Sequence, residues 1–213
     1  ARYYSGYDGG VLLKDSWFWM YPSENLDTED YYDQECSLWH TDERGEVYRN
    51  RIRKINGRSY AFDGIGRMQT GFVLFDGKSE FVARYEVDDW SSEDFIEGTI
   101  YGIEKSDLYL FSPDELNDGS MQIGKDIAVE LEDGVFHFGF ASNGKAFGNR
   151  NRLQKKEGMY YINGLRLEAD EEYGYGVVKV EDGADTYYQV VDTKGKVIEG
   201  KKKIVKDKEG GYL

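Results

Sequence analysis

The sequence is poor in the side chains on which enzymes and disulfide-rich domains depend. Its 213 residues include one cysteine, Cys36, and two histidines, His40 and His137. A lone cysteine forms no intrachain disulfide, which excludes a disulfide-stapled scaffold, and it cannot supply a cysteine-based zinc site. The P-loop, dinucleotide-binding and nucleophile-elbow motifs are also absent. The sequence therefore predicts a protein that is not an enzyme and that uses no metal or cofactor.

Positive charge and long apolar runs are scarce too. The formal net charge is -14 at pH 7, whereas nucleic-acid-binding proteins carry a basic surface. No stretch reaches the roughly 18 apolar residues that a membrane-spanning helix needs. We therefore expect neither nucleic-acid binding nor a membrane span. The chain starts at Ala1 without Met and ends within an apparent repeat, so we interpret it as a fragment or a processed form.

Apolar residues are few for a chain of this size, but aromatic residues are plentiful. Hydrophobic residues make up 39% of the chain and charged residues 32%, which leaves little apolar area to offset the entropy of ordering one compact core. Aromatic residues reach 15%, and each buries a large area. This composition favours an elongated protein in which small units bury their rings against their neighbours.

A short frame recurs along the chain: two nearby aromatic residues, a turn glycine, an apolar residue and a second glycine. Its two clearest copies are Gly66–Gly71 after Tyr60 and Phe62, and Gly119–Gly124 after Tyr109 and Phe111, with weaker copies at Gly144–Gly148 and Gly195–Gly200. Turn glycines are predicted at Gly45, Gly66, Gly119, Gly144, Gly164 and Gly195. A unit of roughly 20–26 residues fits this spacing, with one eroded unit between Gly66 and Gly119.

Repeated Asp-Gly and Asn-Gly pairs, such as Asn56-Gly57 and Asn163-Gly164, separate short apolar runs and predict tight hairpins. One hairpin is marginally stable alone, so the array should be stable as a stack. The predicted fold is all-β, an elongated solenoid-like stack of aromatic-rich β-hairpin repeats. We expect diverged units or a cap in residues 1–42 and the repeat array in residues 43–213, cut short at its C-terminus.

Clusters of like charge have two interpretations each. The acidic stretch 24–35 could hold Ca²⁺, but it lacks the spacing of a calcium loop, and a solvated loop is favoured. Arg49, Arg51 and Arg53 alternate and are expected on the solvent face of a strand, with an anion or polysaccharide-phosphate site as the alternative. A second basic cluster covers Lys201–Lys208.

One short helical turn is also possible. It would begin at Ser112–Leu116, with Ser112 as the cap and Pro113 at the first position.

Residues Asn56 to Phe72 read Asn-Gly-Arg-Ser-Tyr-Ala-Phe-Asp-Gly-Ile-Gly-Arg-Met-Gln-Thr-Gly-Phe. This segment resembles the cell-wall-binding repeat family of Gram-positive bacteria, which includes choline-binding modules, glucan-binding domains and the repetitive oligopeptides of clostridial toxins. The resemblance implies a β-hairpin solenoid on a secreted or surface protein, located outside the cell at the bacterial surface or wall.

The resemblance also implies that aromatic residues at the junctions of successive hairpins hold the ligand. A cationic group would be attracted to the ring faces, and sugars would stack on them. The matching positions are Tyr60, Phe62, Met68 and Phe72 in one unit, and Tyr109, Phe111 and Met121 in the next. These are the predicted ligand-binding residues.

The predicted function is non-catalytic attachment to a cell-wall polymer or glycan. One alternative is a spacer or protein-interaction domain whose aromatic residues are all buried. A second is an enzyme, such as a wall hydrolase, whose catalytic segment lies outside this chain.

Overall fold

The structure is a computed structural model that describes residues 10–113, 118–182 and 185–199. Three expectations from the sequence concern residues that are wholly or partly outside these ranges. Gly200, the cluster Lys201–Lys208 and residues 114–116 of the expected helical turn all lie outside the described residues.

Short antiparallel strands dominate the described residues, which confirms the β-rich fold class in its coarse form. By contact density the chain divides into two compact units, one reaching Glu86 and including Lys105–Gln122, the other holding the rest. The expected boundary between residues 42 and 43 lies inside the first unit, and a division there stays a prediction. No helix in the described part of the chain is long and apolar enough to cross a bilayer.

The described residues of the first unit form eight strands and one helix. They are β1 Trp17–Met20, α1 Thr28–Asp33, β2 Ser37–His40, β3 Arg51–Ile55, β4 Arg58–Phe62, β5 Met68–Gln69, β6 Gly71–Asp76, β7 Phe81–Tyr85 and β8 Ser106–Phe111. They form three small sheets, β1-β2, β3-β4-β5 and β7-β6-β8, with every pair antiparallel.

In the second unit, one helix and seven strands lie within the part that the structure describes. They are α2 Ser92–Glu97, β9 Gly124–Leu131, β10 Gly134–Phe140, β11 Gln154–Lys156, β12 Met159–Ile162, β13 Leu165–Arg166, β14 Gly176–Asp182 and β15 Asp185–Val191. They form a five-stranded sheet, β11-β12-β13-β10-β9, and the hairpin β14-β15.

In the described residues, two-residue loops with positive φ at both positions close three of the hairpins. Asn56-Gly57 joins β3 to β4 and Asn163-Gly164 joins β12 to β13, as the sequence predicts. Both residues of each loop have positive φ, which matches the twist of the paired strands and suits Asn-Gly. Glu157-Gly158 makes the same loop between β11 and β12, although Glu-Gly is not a typical signal for it.

The recurring frame of the sequence is a second, wider turn, here called the repeat turn. In each copy two residues six positions apart pair across the turn, and the residue two before the second partner has positive φ. The pairs are Thr41–Val47, Phe62–Met68, Phe75–Phe81, Phe140–Ala146 and Val191–Val197, with a longer version at Phe111–Met121. The residue that follows the first partner commonly caps the turn; Asp63 accepts hydrogen bonds from three backbone N–H groups at 2.7–3.0 Å.

The repeat turn accounts for the eroded unit expected between Gly66 and Gly119. That copy spans Phe75–Phe81 and has Ser79, with φ of 66°, where the other copies have glycine. Gly164 is a turn glycine, but it belongs to the predicted Asn-Gly hairpin loop described above and not to a repeat turn.

The second glycine of the clearest frame permits a close backbone approach. Gly71 has φ of 77°, and a Cβ there would lie 2.3 Å from the carbonyl oxygen of Tyr85. Gly124 also has positive φ. Both glycines therefore have a backbone conformation that other residues rarely adopt.

One helix replaces an expected loop, and a second lies where the sequence analysis makes no prediction. The stretch 24–35 was expected to be a solvated loop, yet it contains α1, because the side chain of Asp27 caps the backbone N–H of Asp30 and acidic residues favour the first helical turn. Helix α2 begins with a capping box formed by Ser91 and Asp94. Each helix has only six residues, too few to produce a 3.6-residue hydrophobic period.

Candidate ligand-binding site

Three of the predicted ligand-binding residues meet side chains of the hairpin β1-β2 in one aromatic group of the first unit. We call this group the junction cluster; its members are Trp17, His40, Tyr48, Tyr60, Phe62 and Met68. It lies where that hairpin packs on the sheet β3-β4-β5, which is the kind of place at which the sequence predicts a ligand.

Strand alternation puts Tyr60 and Phe62 on the same face of β4. The ring of Trp17 lies over this face, with its centroid 4.9 Å from that of Tyr60 in a T-shaped arrangement and 6.0 Å from that of Phe62 in a stacked one. Such ring pairs stabilise packing beyond the area they bury. Tyr60 is 7% exposed and Phe62 is fully buried, while Trp17 and Tyr48 are half-buried at the rim.

The exposed side of the junction cluster already holds a cation. The guanidinium carbon of Arg53 lies 5.3 Å from the centroid of the Tyr48 ring, within cation–π distance. In the second unit the ammonium group of Lys155 lies 5.3 Å from the Tyr160 ring centroid. Aromatic faces in both units can therefore accept positive charge.

A polar group fixes the outer edge of Tyr60. Its hydroxyl donates to the Asp118 carboxylate at 3.0 Å, and Arg58 forms an ion pair with the same carboxylate. Burial, followed by the hydrogen bond to Asp118, raises the pKa of Tyr60. Burial also acts to raise the pKa of Asp118, but hydrogen bonds from Arg58, Ser120 and Tyr60 outweigh it and lower that pKa. Tyr60 is thus an uncharged donor anchored in place.

The remaining predicted residues lie in the β7-β6-β8 sheet and beside it. Tyr109 and Phe111 belong to a core cluster with Phe75, and Met121 packs against it. Phe72 is 1% exposed on the other face of β6. All five predicted aromatic residues are at most 7% exposed, whereas Met68 and Met121 are half-buried. In this structure the five rings form core, and their contact with a ligand stays a prediction.

Exposed rings occur instead on β1 and α1, at positions that the sequence did not single out as ligand-binding. We call the aromatic patch the set Trp19, Tyr21, Tyr31 and Tyr32, of which Tyr31 is half-buried and the other three are exposed. Trp19 and Tyr21 are two residues apart in the chain, and the three tyrosine rings are in contact. Trp19 is 69% exposed and Tyr32 64%. The ring centroids of Tyr21 and Tyr31 are 5.9 Å apart, and those of Tyr31 and Tyr32 are 5.2 Å apart.

An ion-pair network holds the helix that carries the two tyrosines. The Arg67 guanidinium donates to the carboxylates of Asp27, Asp30 and Asp63, at 3.1 Å and 2.8 Å for the first and last. Burial alone would lower the pKa of Arg67, but hydrogen bonds and charges of Asp63 and Asp30 outweigh it and raise that pKa. Helix α1 is thereby tied to the repeat turn that starts at Asp63.

The same network bears on the calcium alternative. Asp27 and Asp30 of the acidic stretch form ion pairs with Arg67. Their carboxylates are therefore directed at a protein cation. Across the residues that the structure describes, no three Asp, Glu, His or Cys side chains gather in a way that could hold a metal ion.

The tyrosines of the aromatic patch are visible in the sequence, but the acidic residues around them favour an interpretation as a solvated loop. Tyr31 and Tyr32 stand inside the acidic stretch, and that stretch reads as a solvated loop until Asp27 is recognised as a helix cap. Trp17 and Trp19 are two residues apart on β1, so their side chains lie on the same face of the strand. Only the structure shows that packing covers Trp17 and leaves Trp19 open.

A scan against protein-family models and a search of curated proteins both find no match for this chain. Solved structures do match. Choline binding protein F of Streptococcus pneumoniae, solved with a peptidoglycan analogue, is 15% identical with a TM-score of 0.47, over 99% of this chain and 54% of that one. CbpJ of the same species is 13% identical with a TM-score of 0.44, over 93% and 66% respectively.

A third solved structure is the modular Cpl-1 endolysin complexed with a peptidoglycan analogue, 15% identical with a TM-score of 0.35, over 88% of this chain and 38% of that one. The chain thus spans 38–66% of the length of these three solved chains. The motif of residues 56–72 resembles the cell-wall-binding repeat family, and the first of these solved structures is a choline-binding protein. Because each TM-score is below 0.5, the function has to be judged from this chain's own residues.

Proposed function

We propose that this chain is a non-catalytic attachment module of a secreted or surface bacterial protein, which binds a cell-wall polymer or glycan through aromatic residues. The observation that carries the proposal is the aromatic patch, where Trp19 and Tyr32 are 69% and 64% exposed. Soluble proteins seldom leave large rings grouped and open to water unless the surface binds something.

The chemistry of the aromatic patch suits a neutral or cationic ligand. Flat indole and phenol rings offer apolar faces for sugar rings and a negative quadrupole for an ammonium group. The phenol hydroxyl of Tyr32 is held by the Glu24 carboxylate at 2.8 Å, so its ring is oriented before any ligand arrives. With a net charge of -14, the chain would repel polyanions from most of its surface.

The junction cluster adjoins this surface along β1. Trp17 packs on Tyr60 and Phe62 and is separated from Trp19 by one residue on β1. The seven residues predicted from the sequence enter the proposal as the layer that fixes the hairpin junctions. A ligand would reach their buried rings only if a junction opened.

Serial stacking of hairpins is part of the same proposal. Within the first unit the β1-β2 hairpin packs on the next sheet through Trp17, and the repeat turn recurs along the chain. We propose that successive hairpins stack in this way as a solenoid, because no single hairpin could bury its rings alone.

A spacer without a small ligand is the second candidate, and one observation favours it. The five aromatic residues predicted to bind ligand are at most 7% exposed, which is what a purely structural role requires.

Titration of the full chain with choline and with wall-derived oligosaccharides separates the two functions. Binding at the aromatic patch should change tryptophan fluorescence through Trp19, and Trp19→Phe should remove most of that change although Trp39, which is fully buried, remains. Fluorescence that stays constant with every probe would favour the spacer.

A further inference from the structure

A second surface of the first unit has the opposite character. An open cavity of 480 Å³ lies between the segment Arg49–Arg51 and the turn residues Lys78–Glu80. Its lining includes the cationic side chains of Arg49, Arg51 and Lys78 and one carboxylate, that of Glu80. We call it the basic cavity. In a chain with a net charge of -14, it is a local reversal of charge.

We propose that the basic cavity binds a phosphate group. This site is separate from the aromatic patch, and it does not depend on the attachment function proposed above. It adds an anion subsite to a protein whose composition points to neutral or cationic ligands.

The two walls of the basic cavity are joined without any ligand. Asn50, with φ of 52°, lies between the two arginines. Its backbone N–H donates to the carbonyl oxygen of Asp63 at 2.6 Å, and its side-chain oxygen accepts the backbone N–H of Phe81 at 2.7 Å. The arginine segment is thereby bonded to the start of β7, so the distance between the walls is set by the fold.

The wall that carries Lys78 is itself a repeat turn. The Asp76 carboxylate accepts the backbone N–H groups of Lys78 and Glu80 at 2.8 and 2.9 Å. Ser79 takes positive φ and donates its backbone N–H to the Asp76 carbonyl at 2.9 Å. The backbone that presents the ammonium group is therefore ordered in advance, which lowers the entropic cost of binding.

Arg49, Arg51 and Lys78 form no ion pair with any of the residues that the structure describes. Elsewhere in the same unit three arginines each pair with a carboxylate; they are Arg58, Arg67 and Arg84. Arg51 donates its Nε–H to the carbonyl oxygen of Arg49 at 3.1 Å, which restrains its guanidinium and leaves the terminal N–H groups for a ligand.

The donor set identifies the chemical class of ligand. Guanidinium groups present planar forks that match two oxygens of a phosphate, and an ammonium group adds a point charge. Glu80 repels anions, but three cations against one carboxylate leave the lining net positive. Free phosphate and a phosphodiester within a polymer share the group that would be recognised.

The test is an NMR titration of the full-length chain in about 0.1 M chloride, where charges are screened beyond about 10 Å. The probes are inorganic phosphate, glycerophosphoglycerol as a phosphodiester, and glucuronate as a carboxylate. The arginine Nε–H signals of Arg49 and Arg51 should shift and saturate with a phosphate probe. The double variant Arg49→Gln/Arg51→Gln should bind about tenfold more weakly or worse, because charge-assisted hydrogen bonds are lost.

Lys54→Gln is the matched control, since it removes one charge from the same strand but outside the lining of the basic cavity. It should bind like the wild type, and Lys78→Gln should weaken binding in a protein with both arginines intact. Tighter binding of the diester would identify a polymer as the source, and tighter binding of inorganic phosphate a free anion. Shifts that do not saturate, an equal loss in Lys54→Gln, or a preference for glucuronate would each overturn the proposal.

Discussion

The side-chain amide of Asn163 donates to the backbone carbonyl of Phe95 at 2.7 Å, and both residues are buried. This hydrogen bond ties the turn between β12 and β13 to helix α2 within the second unit. Phe95 in turn packs its ring edge-to-face on Phe138, with centroids 5.0 Å apart. One turn residue therefore holds a short helix on its sheet.

Asn163→Gly should lower the free energy of unfolding by about 1–3 kcal/mol, because it leaves the Phe95 carbonyl buried without this donor. Glycine keeps the positive φ that the turn needs, so the loss reports the hydrogen bond. Chemical denaturation followed by circular dichroism measures it. Asn56→Gly is the matched control, since Asn56 has the same φ of 48° in the same kind of loop but is exposed. Equal effects of the two substitutions would contradict the assigned role of Asn163.

Arg67 should contribute far more to the stability of the folded chain than Arg58. Arg67→Gln leaves the partly buried carboxylates of Asp27, Asp30 and Asp63 without their shared cation, so we expect a loss of about 2 kcal/mol or more. Arg58→Gln breaks an exposed pair with Asp118 that water screens, so its cost should be much smaller. Urea unfolding of both variants compares them. A smaller loss for Arg67→Gln than for Arg58→Gln would show that the network contributes little.

His40 should make the stability of the first unit depend on pH. Burial lowers its pKa below the ordinary 6.5, although the charges of Asp15 and Asp42 act in the other direction. As the pH falls below about 6.5 the unfolded chain takes up a proton that the folded chain refuses, so stability present above that pH is progressively lost. The slope is at most about 1.4 kcal/mol per pH unit.

Thermal melts between pH 7.5 and pH 5 should therefore show a decline that His40→Gln flattens. His137→Gln serves as the control, because the His137 side chain is 36% exposed. If His40→Gln melts with the wild-type pH slope, His40 is not the group responsible.

Gly66→Ala should strongly destabilise the repeat turn. Gly66 has φ of 119°, and a Cβ there would lie 2.7 Å from the Val47 side chain. We expect a cost of about 2 kcal/mol or more, since both backbone strain and a clash oppose the change. Gly64→Ala, two residues away, meets nothing within 4 Å and should be neutral or slightly stabilising. Denaturant midpoints of the two variants give the comparison, and similar values would contradict the conformation assigned to Gly66.

Much of the fold follows from local sequence signals. Asn-Gly loops and runs such as Phe72–Phe75 or Val177–Val180 predict hairpins and strands, because these residues suit positive φ and half-buried pleated surfaces respectively. The repeat turn at Ser79 could not be found from glycine spacing, since serine there takes a conformation that glycine usually provides. It is specified by the capping Asp76 and by the pairing of Phe75 with Phe81.

The candidate site was harder to predict, since exposure depends on tertiary packing. Trp17 and Trp19 have the same strand face and similar neighbours in sequence, yet only Trp17 meets the Tyr60 and Phe62 rings of the next sheet. Nothing in the spacing of aromatic residues indicates which ring a neighbouring hairpin will cover. For the same reason, the motif does not indicate that the five matching aromatic rings are buried by packing.

Cosedimentation of the full chain with purified Gram-positive cell walls tests the central claim most directly. The wild type should pellet with the walls, and Trp19→Ala/Tyr32→Ala should stay largely in the supernatant. Tyr101→Ala/Tyr188→Ala, which removes rings that are 78% and 65% exposed in the second unit, should pellet like the wild type. A wild-type chain that remains in the supernatant at both low and high salt would contradict the attachment function.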